Sequence, residues 1–312
     1  MTLHEALTPE HACQALAELG FRLSPADVHL VPRDGRWLVR LPGGRLAWFA
    51  ATAAGLAAMQ TERRVLRVLK ERCGFAAPRV LAASADGGVD VRAMVPGVHD
   101  TRAVYARVRR EPEAARRVGA ALGAILADLH TRAGAADVAG WLPRRPGWPE
   151  PRGWICDRLP RVVDHRGLRA EADAVIAEYE ELLDRTPPDD RVLVHADLGL
   201  HNVSVDAATL RVHGVFDWES ACWADRHLDF RYLVFDTAHD ALLEAALAVY
   251  EPAAGRPVSR ERVLLYNAAC AVCYLAFRAG VPPEQSWCGR TLAEDLHWTR
   301  HAIARLRAAR RS

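Results

Sequence analysis

The segment 192–206, VLVHADLGLHNVSVD, sets His195, Asp197 and Asn202 in the order H-x-D-x4-N, and Asp217 follows fifteen positions after Asn202 in GVFDWE. The apolar pieces around them, 191–194, 203–205 and 212–216, are short and β-rich, so they read as brief strands whose turns deliver four polar groups. Phosphoryl transfer needs a carboxylate beside the attacking hydroxyl and hard oxygen donors for the Mg2+ on a triphosphate. One Asp, one Asn and a second Asp meet that need. An Asp/Asn turn between core strands, with His195 simply buried and hydrogen-bonded, would use the same residue types. Four of them together in this order favour the chemical reading.

Upstream the pattern is different. VHLVP, RWLVRL and RLAWFA, between residues 28 and 50, read as three antiparallel strands around turns at Asp34-Gly35 and Pro42-Gly43-Gly44. A helix pattern runs through 57–72, and two further strands, PRVLAAS and VDVRAMV, flank Asp86-Gly87-Gly88. Five strands with one inserted helix predict a small α+β lobe. After Pro96-Gly97 the period changes: Val118, Leu122, Ile125 and Leu129 recur at helical spacing, helices resume over 168–184, and the chain from 241 onward is helical. Between them, 141–154 (WLPRRPGWPEPRGW) has no period and reads as an ordered loop or lid.

These motifs resemble those of the aminoglycoside phosphotransferase family, whose catalytic loop reads H-G-D-x4-N and whose metal-binding Asp opens a short D-W/F/Y-x element at this distance. The resemblance extends over most of the chain. It implies an α+β, two-lobed protein-kinase-like fold, with a nucleotide-binding antiparallel-sheet lobe over 1–97 and a larger, mostly helical lobe over 98–312 holding the catalytic loop and acceptor site. It further implies Asp197 as the catalytic base or hydroxyl-orienting group, His195 as a brace for the loop, and Asn202 and Asp217 as Mg2+ ligands. ATP or GTP would be the donor, with its base at a hinge near Ala93 and Val95. Asp225 and Asp229 in ADRHLDFRYL stand where the family has D-P-x-x-D-L, so Asp229 is expected to cap a helix and bond the catalytic-loop backbone. Ala196 replaces the usual glycine, which asks for a negative φ there. His130, ending LADLH, also matches and reads as a packing residue.

One position departs from the family. Glu62 heads a stripe with Val65, Leu66 and Leu69, so it faces inward and needs a cationic partner or a raised pKa. In kinases that partner is a strand lysine that also holds the α/β-phosphates. Here RLAWFA puts Phe49, or with a one-residue slip Trp48, in the lysine position. Of the 41 basic residues only Lys70 is a lysine, and on the same helix it lies two turns away and roughly 80° around. Arg40 or Arg45 is the expected substitute, because a guanidinium fork can bridge a carboxylate and a phosphate. Sequences resembling viomycin-type phosphotransferases carry a similar apolar strand, which makes the loss compatible with activity.

The remaining features set limits on partners. A formal charge of +2 and a pI near 8.2 are too balanced for nucleic acid or an anionic membrane as the main partner. The N-terminus lacks the basic start and apolar centre of a signal peptide, so a cytoplasmic location is expected. The apolar run 263–277 is shorter than the roughly 20 residues of a membrane span and contains Asn267, which favours a core helix. Seven cysteines, an odd number spread over the chain, predict reduced thiols, and Cys270-x-x-Cys273 reads as packing. His297 and His301 share a helix face with no third ligand placed by sequence.

For the acceptor, Asp217, Glu219, Asp225, Asp229, Asp236 and Asp240 could attract a cation, but beyond Asp295 there are five arginines and no acid. A less cationic hydroxylated antibiotic, such as a peptide, macrolide or nucleoside, fits as well as an aminoglycoside, in a setting of antibiotic self-resistance. Tryptophans in 141–154 would suit a ring-bearing acceptor or ordinary packing. The alternative from another class is a non-catalytic, pseudokinase-like module that binds nucleotide or ligand. The joint presence of Asp197, Asn202 and Asp217 favours the enzyme.

Overall fold

The computed structural model describes residues 3–4, 6–97, 99, 101–234, 239–287 and 289–311, so Asp236 lies outside the described residues. In chain order the first elements are α1 (Pro9–Glu18), β1 (Leu30–Arg33), β2 (Arg36–Leu41), β3 (Arg45–Ala50), α2 (Ala53–Arg72), β4 (Arg79–Ala83) and β5 (Val89–Ala93). Next come α3 (Arg102–Arg110), α4 (Pro112–Arg132), α5 (Ala135–Val138), α6 (Arg152–Arg158) and α7 (Arg166–Asp184). Four short strands follow, β6 (Arg191–Val194), β7 (Val203–Val205), β8 (Val212–Val215) and β9 (Cys222–Asp225), then α8 (Ala241–Ala254), α9 (Arg260–Phe277) and α10 (Leu292–Ala309). Two compact units result: residues 1–101 with 200–221, and residues 102–199 with 222–312.

The first unit is built on a five-stranded antiparallel sheet in the order β1-β2-β3-β5-β4. Strand alternation decides its two faces. Trp37, Val39 and Leu41, Ala47 and Phe49, and Val89 and Val91 point one way and form a core with Ala12 and Leu16 of α1. That helix starts where Thr8 Oγ1 accepts the His11 N–H at 3.3 Å and Pro9 takes the first turn. On the other face Ala50 and Trp48 meet Leu56 and Met59 of α2. This helix begins a turn before the apolar pattern, at Ala53, because Thr52 Oγ1 caps it by accepting the Gly55 N–H at 3.0 Å. The β7–β8 ribbon belongs to the same unit and is tied to it where Val215 N donates to the Ala76 carbonyl at 3.0 Å.

In the second unit β6 and β9 pair antiparallel, and α6, α7 and α10 surround α9. With the turn that follows it, α9 reaches Gly280 and makes 21 residues, enough by length and composition to cross a membrane, yet 72% of its most apolar window is buried inside the unit. It is the core helix that Asn267 suggested: the Asn267 side-chain amide donates to the Arg231 carbonyl at 2.8 Å. Cys270 and Cys273 are buried free thiols on this helix, and burial pushes both above the usual thiol range.

Helices α4 and α8 approach closely through two glycines one turn apart. A Cβ on Gly119 would stand 2.2 Å from the Leu242 carbonyl oxygen, and one on Gly123 would stand 2.2 Å from that of Ala246. Alanine normally stabilises a helix interior by about 1 kcal/mol over glycine. Here it must push the helices apart, so Gly123→Ala is expected to destabilise the fold by about 1–3 kcal/mol, read as a lowered denaturation midpoint.

Candidate functional site

In the second unit, β6 runs into His195 and Ala196, and one carboxylate determines the path of the loop. Asp229, fully buried, accepts the N–H of His195 at 2.9 Å and that of Ala196 at 2.8 Å. Its Oδ2 also meets His130 Nε2 at 3.1 Å, and His130 Nδ1 meets the Tyr250 hydroxyl at 3.0 Å. Burial alone would raise the Asp229 carboxyl, but hydrogen bonds from His130 and the His195 amide outweigh it and hold it below its ordinary value. Burial also depresses the His130 imidazole, so it stays neutral and can bridge the loop to α8. His130 therefore does more than pack.

Two expectations are corrected here. The helical cap belongs to Asp225, whose carboxylate accepts the His227 N–H at 3.0 Å at the head of the turn 226–230, while Asp229 sits inside that turn. Ala196 does not keep a negative φ: it is left-handed, with φ 65°. The cause is geometric, since its N–H faces Asp229 while its carbonyl accepts from the buried guanidinium of Arg231. Arg231 also donates to the Trp148 carbonyl at 3.2 Å, so one side chain holds both the loop and the 141–154 segment. Asp197 emerges half-buried from this frame, with its N–H donating to His195 Nδ1 at 3.2 Å. Trp148 and Trp154 pack against Phe277 with ring centroids 5.2 and 4.5 Å away.

The first unit holds Asn202 and Asp217. The Phe216 N–H donates to the Asn202 carbonyl at 3.0 Å, which brings the two segments side by side. Asn202 is buried, whereas Asp217 is exposed at the apex of its turn with φ 66°. An amide and a carboxylate are hard oxygen donors, and one or two protein ligands suit Mg2+, which takes its remaining oxygens from phosphates and water. Among the described residues no group of three His, Cys, Asp or Glu side chains could hold a metal ion.

Glu62 is buried on α2 as the stripe predicted, but its partners are different ones. Its Oε2 lies 2.5 Å from Arg92 Nη1 and 3.9 Å from Arg36 Nη1. Parity excludes Arg45, and position along the strand excludes Arg40. Arg45 points to the α1 face, donating to the Pro42 carbonyl at 2.8 Å with its guanidinium 5.4 Å from the Phe21 ring. Arg40 shares the face of Arg36 but lies four residues, roughly 13 Å, along β2 and is exposed. The same parity settles the lysine position: Phe49 is buried toward α1, and Trp48 faces Glu62's side of the sheet. In the segment expected to be the hinge, Ala93 pairs with Arg45 and Arg79 in the sheet, Met94 N–H donates to the Gly44 carbonyl at 2.8 Å, and the Val95 carbonyl meets the His99 ring at 2.8 Å.

Arg36, Arg92 and Arg231 were not singled out for these roles by the sequence. The alternation Val89, Asp90, Val91, Arg92 was the available signal for Arg92, and β5 is an inner strand of the sheet, which buries that side chain. For Arg231 no local pattern announces the contact, since its partners lie 35 and 83 residues away.

A family model for the phosphotransferase enzyme family matches residues 16–262. Solved structures of the same fold include the GDP complex of wild-type aminoglycoside 2'-phosphotransferase-IIIa, 16% identical, TM-score 0.63, with 89% of this chain and 92% of that chain covered. Macrolide 2'-phosphotransferase type I is 21% identical, TM-score 0.57, covering 98% and 99%. The streptomycin-ATP ternary complex of APH(2")-IIa is 13% identical, TM-score 0.62, covering 95% and 98%. No curated protein matches by sequence.

Replacing Asp229 by alanine strands two buried N–H groups and His130, so stability should fall by about 3 kcal/mol or more. The Asp229 pKa is depressed in the fold, so its stabilisation is complete above the unfolded value of roughly 4 and disappears as pH drops through the folded one. The stability gap between wild type and Asp229→Ala, from denaturant titrations, should accordingly narrow between about pH 5 and pH 3. Ala196→Gly relieves a left-handed alanine and should raise stability by about 1 kcal/mol.

Proposed function

The chain belongs to the phosphotransferase enzyme family, and from that premise we propose that it transfers the γ-phosphate of ATP or GTP to a hydroxyl of an antibiotic-like small molecule in the cytoplasm. The observation that carries the reading is the loop frame: Asp229 clamps His195 and Ala196 so that the following residue, Asp197, presents its carboxylate from an otherwise buried turn.

Asp197 orients the acceptor hydroxyl and takes its proton as the oxygen bonds to the γ-phosphorus. The bond from that phosphorus to the β–γ bridging oxygen breaks, and nucleoside diphosphate leaves. Asn202 and Asp217 offer their oxygens to Mg2+, which when bound neutralises charge on the β- and γ-phosphates. His195 holds the loop by accepting the Asp197 N–H.

The acids of the 217–240 stretch support an acceptor that is not a polycation. Asp225 and Asp229 are buried and bonded, Glu219 is paired with Arg36, and Asp240 with Arg305. Asp217 is assigned to the metal. Toward the C-terminus, Arg307 lies 2.5 Å from Glu171 and Arg310 2.9 Å from Glu261, so arginines offset the carboxylates there. A macrolide, peptide or nucleoside antibiotic suits this balance better than kanamycin, the ligand of one structural relative.

Asp197→Ala should lower turnover by about 10²- to 10⁴-fold while nucleotide affinity holds, whereas Asn202→Ala and Asp217→Ala should also weaken Mg2+-dependent nucleotide binding. Near wild-type turnover in Asp197→Ala would overturn the reading. Acceptor class is read by mass spectrometry for one added phosphate across a panel of hydroxylated antibiotics, and kanamycin as the best acceptor would refute the charge argument.

A further inference from the structure

Three residues flanking Asp217 in its turn are held from outside it, all within the first unit. Phe216 gives its N–H to the Asn202 carbonyl, Trp218 gives its N–H to Glu62 Oε1 at 3.3 Å, and Glu219 forms an ion pair with Arg36. The Trp218 ring is fully buried, stacked 6.0 Å from Phe75. Asp217 itself, in a left-handed conformation that aspartate tolerates at a cost, is exposed to solvent.

The cations behind this turn occupy the face where the strand lysine would project. Trp48 stands there instead, with the guanidinium of Arg36 4.8 Å and that of Arg92 5.9 Å from its ring. Arg92 is saturated: Nε and Nη2 grip Asp90 at 2.8 and 3.0 Å, and Nη1 grips Glu62. Arg63 adds a contact to Asp90 at 3.2 Å. Three guanidiniums thus face the three carboxylates of Glu62, Asp90 and Glu219, leaving no net positive charge directed at a triphosphate. Arg36, only 5% exposed, spans Glu62 and Glu219, the two acids that border the turn.

We propose that Arg36 and Glu62 are positioning residues for the metal: they hold the Asp217 turn in the geometry that presents its carboxylate, and do not clamp the phosphates as a strand lysine would. Arg92, itself gripped by Asp90, fixes the Glu62 carboxylate in place. The inference rests on the reading of Asp217 as a metal ligand.

The test uses the full-length protein with a non-hydrolysable triphosphate analogue, Mn2+ affinity by electron paramagnetic resonance, and nucleotide affinity by calorimetry with and without metal. Arg36→Ala should weaken Mn2+ binding about tenfold, a change of about 1.4 kcal/mol, while metal-free nucleotide affinity stays unchanged. Arg36→Lys should recover part of the loss. An equal fall in metal-free nucleotide affinity would show that Arg36 touches phosphate and would overturn the proposal, as would unchanged Mn2+ affinity. Should Arg36→Ala fail to fold, Glu219→Gln removes the half-exposed end of the same pair and should weaken Mn2+ binding several-fold; no change there refutes the proposal equally. Asp217→Ala is the control for the underlying reading: if it leaves Mn2+ affinity intact, the ligand assignment has failed rather than the brace.

Discussion

A single buried carboxylate, Asp229, organises the second unit around the 195–197 loop. Its two oxygens take two successive backbone N–H groups and a neutral imidazole, which is close to the full acceptor capacity of an ionised side chain in a dry site. Such a group is costly to bury and more costly to leave half-paired, so its partners cannot drift independently. The left-handed turn at Ala196 follows from this, because the backbone must aim two N–H groups at one carboxylate while its next carbonyl turns to Arg231. Strain of roughly 1–2 kcal/mol is tolerable where several strong contacts over-determine the geometry.

The first unit meets a comparable problem with more charges. Glu62, Asp90, Arg36 and Arg92 are each at most 5% exposed, and a buried ion of either sign is tolerated only when paired and hydrogen-bonded. Burial would by itself lower the Arg92 pKa, but the charges of Glu62 and Asp90 prevail and raise it above the ordinary arginine value. Arginine suits this place better than lysine because its planar fork can engage two carboxylates at fixed angles, as Arg92 does with Asp90 and Glu62. One compact ammonium replaced by two forks changes what the helix acid can reach: Glu62 has an oxygen left for the Trp218 N–H.

Much of this was readable beforehand. The five strands, the inserted helix and the change of period after Pro96-Gly97 follow from alternation and turn residues, which act locally. So did the inward placement of Glu62 and the contact from Asp229 to the loop, the latter through family resemblance. What escaped depends on register. Whether Trp48 or Phe49 faces α2, and whether Arg36 or Arg40 stands beside Glu62, is decided by one-residue and four-residue offsets along strands whose pairing no local pattern specifies. The conformation of Ala196 escaped because a non-glycine residue gives no hint of a positive φ until its long-range partners are known.

The tryptophan at the lysine position has a consequence outside catalysis, in chemical reactivity. Lys70, exposed on α2 eight residues beyond Glu62, carries the only side-chain amine in the chain. Triphosphate mimics carrying an acylating or sulfonylating electrophile need an amine beside the phosphates to react with. A guanidinium, protonated at any physiological pH, does not react with them. Such probes would label a mixture of kinases and pass this chain by, whereas dicarbonyl reagents, which condense with guanidinium groups, would still find its exposed arginines.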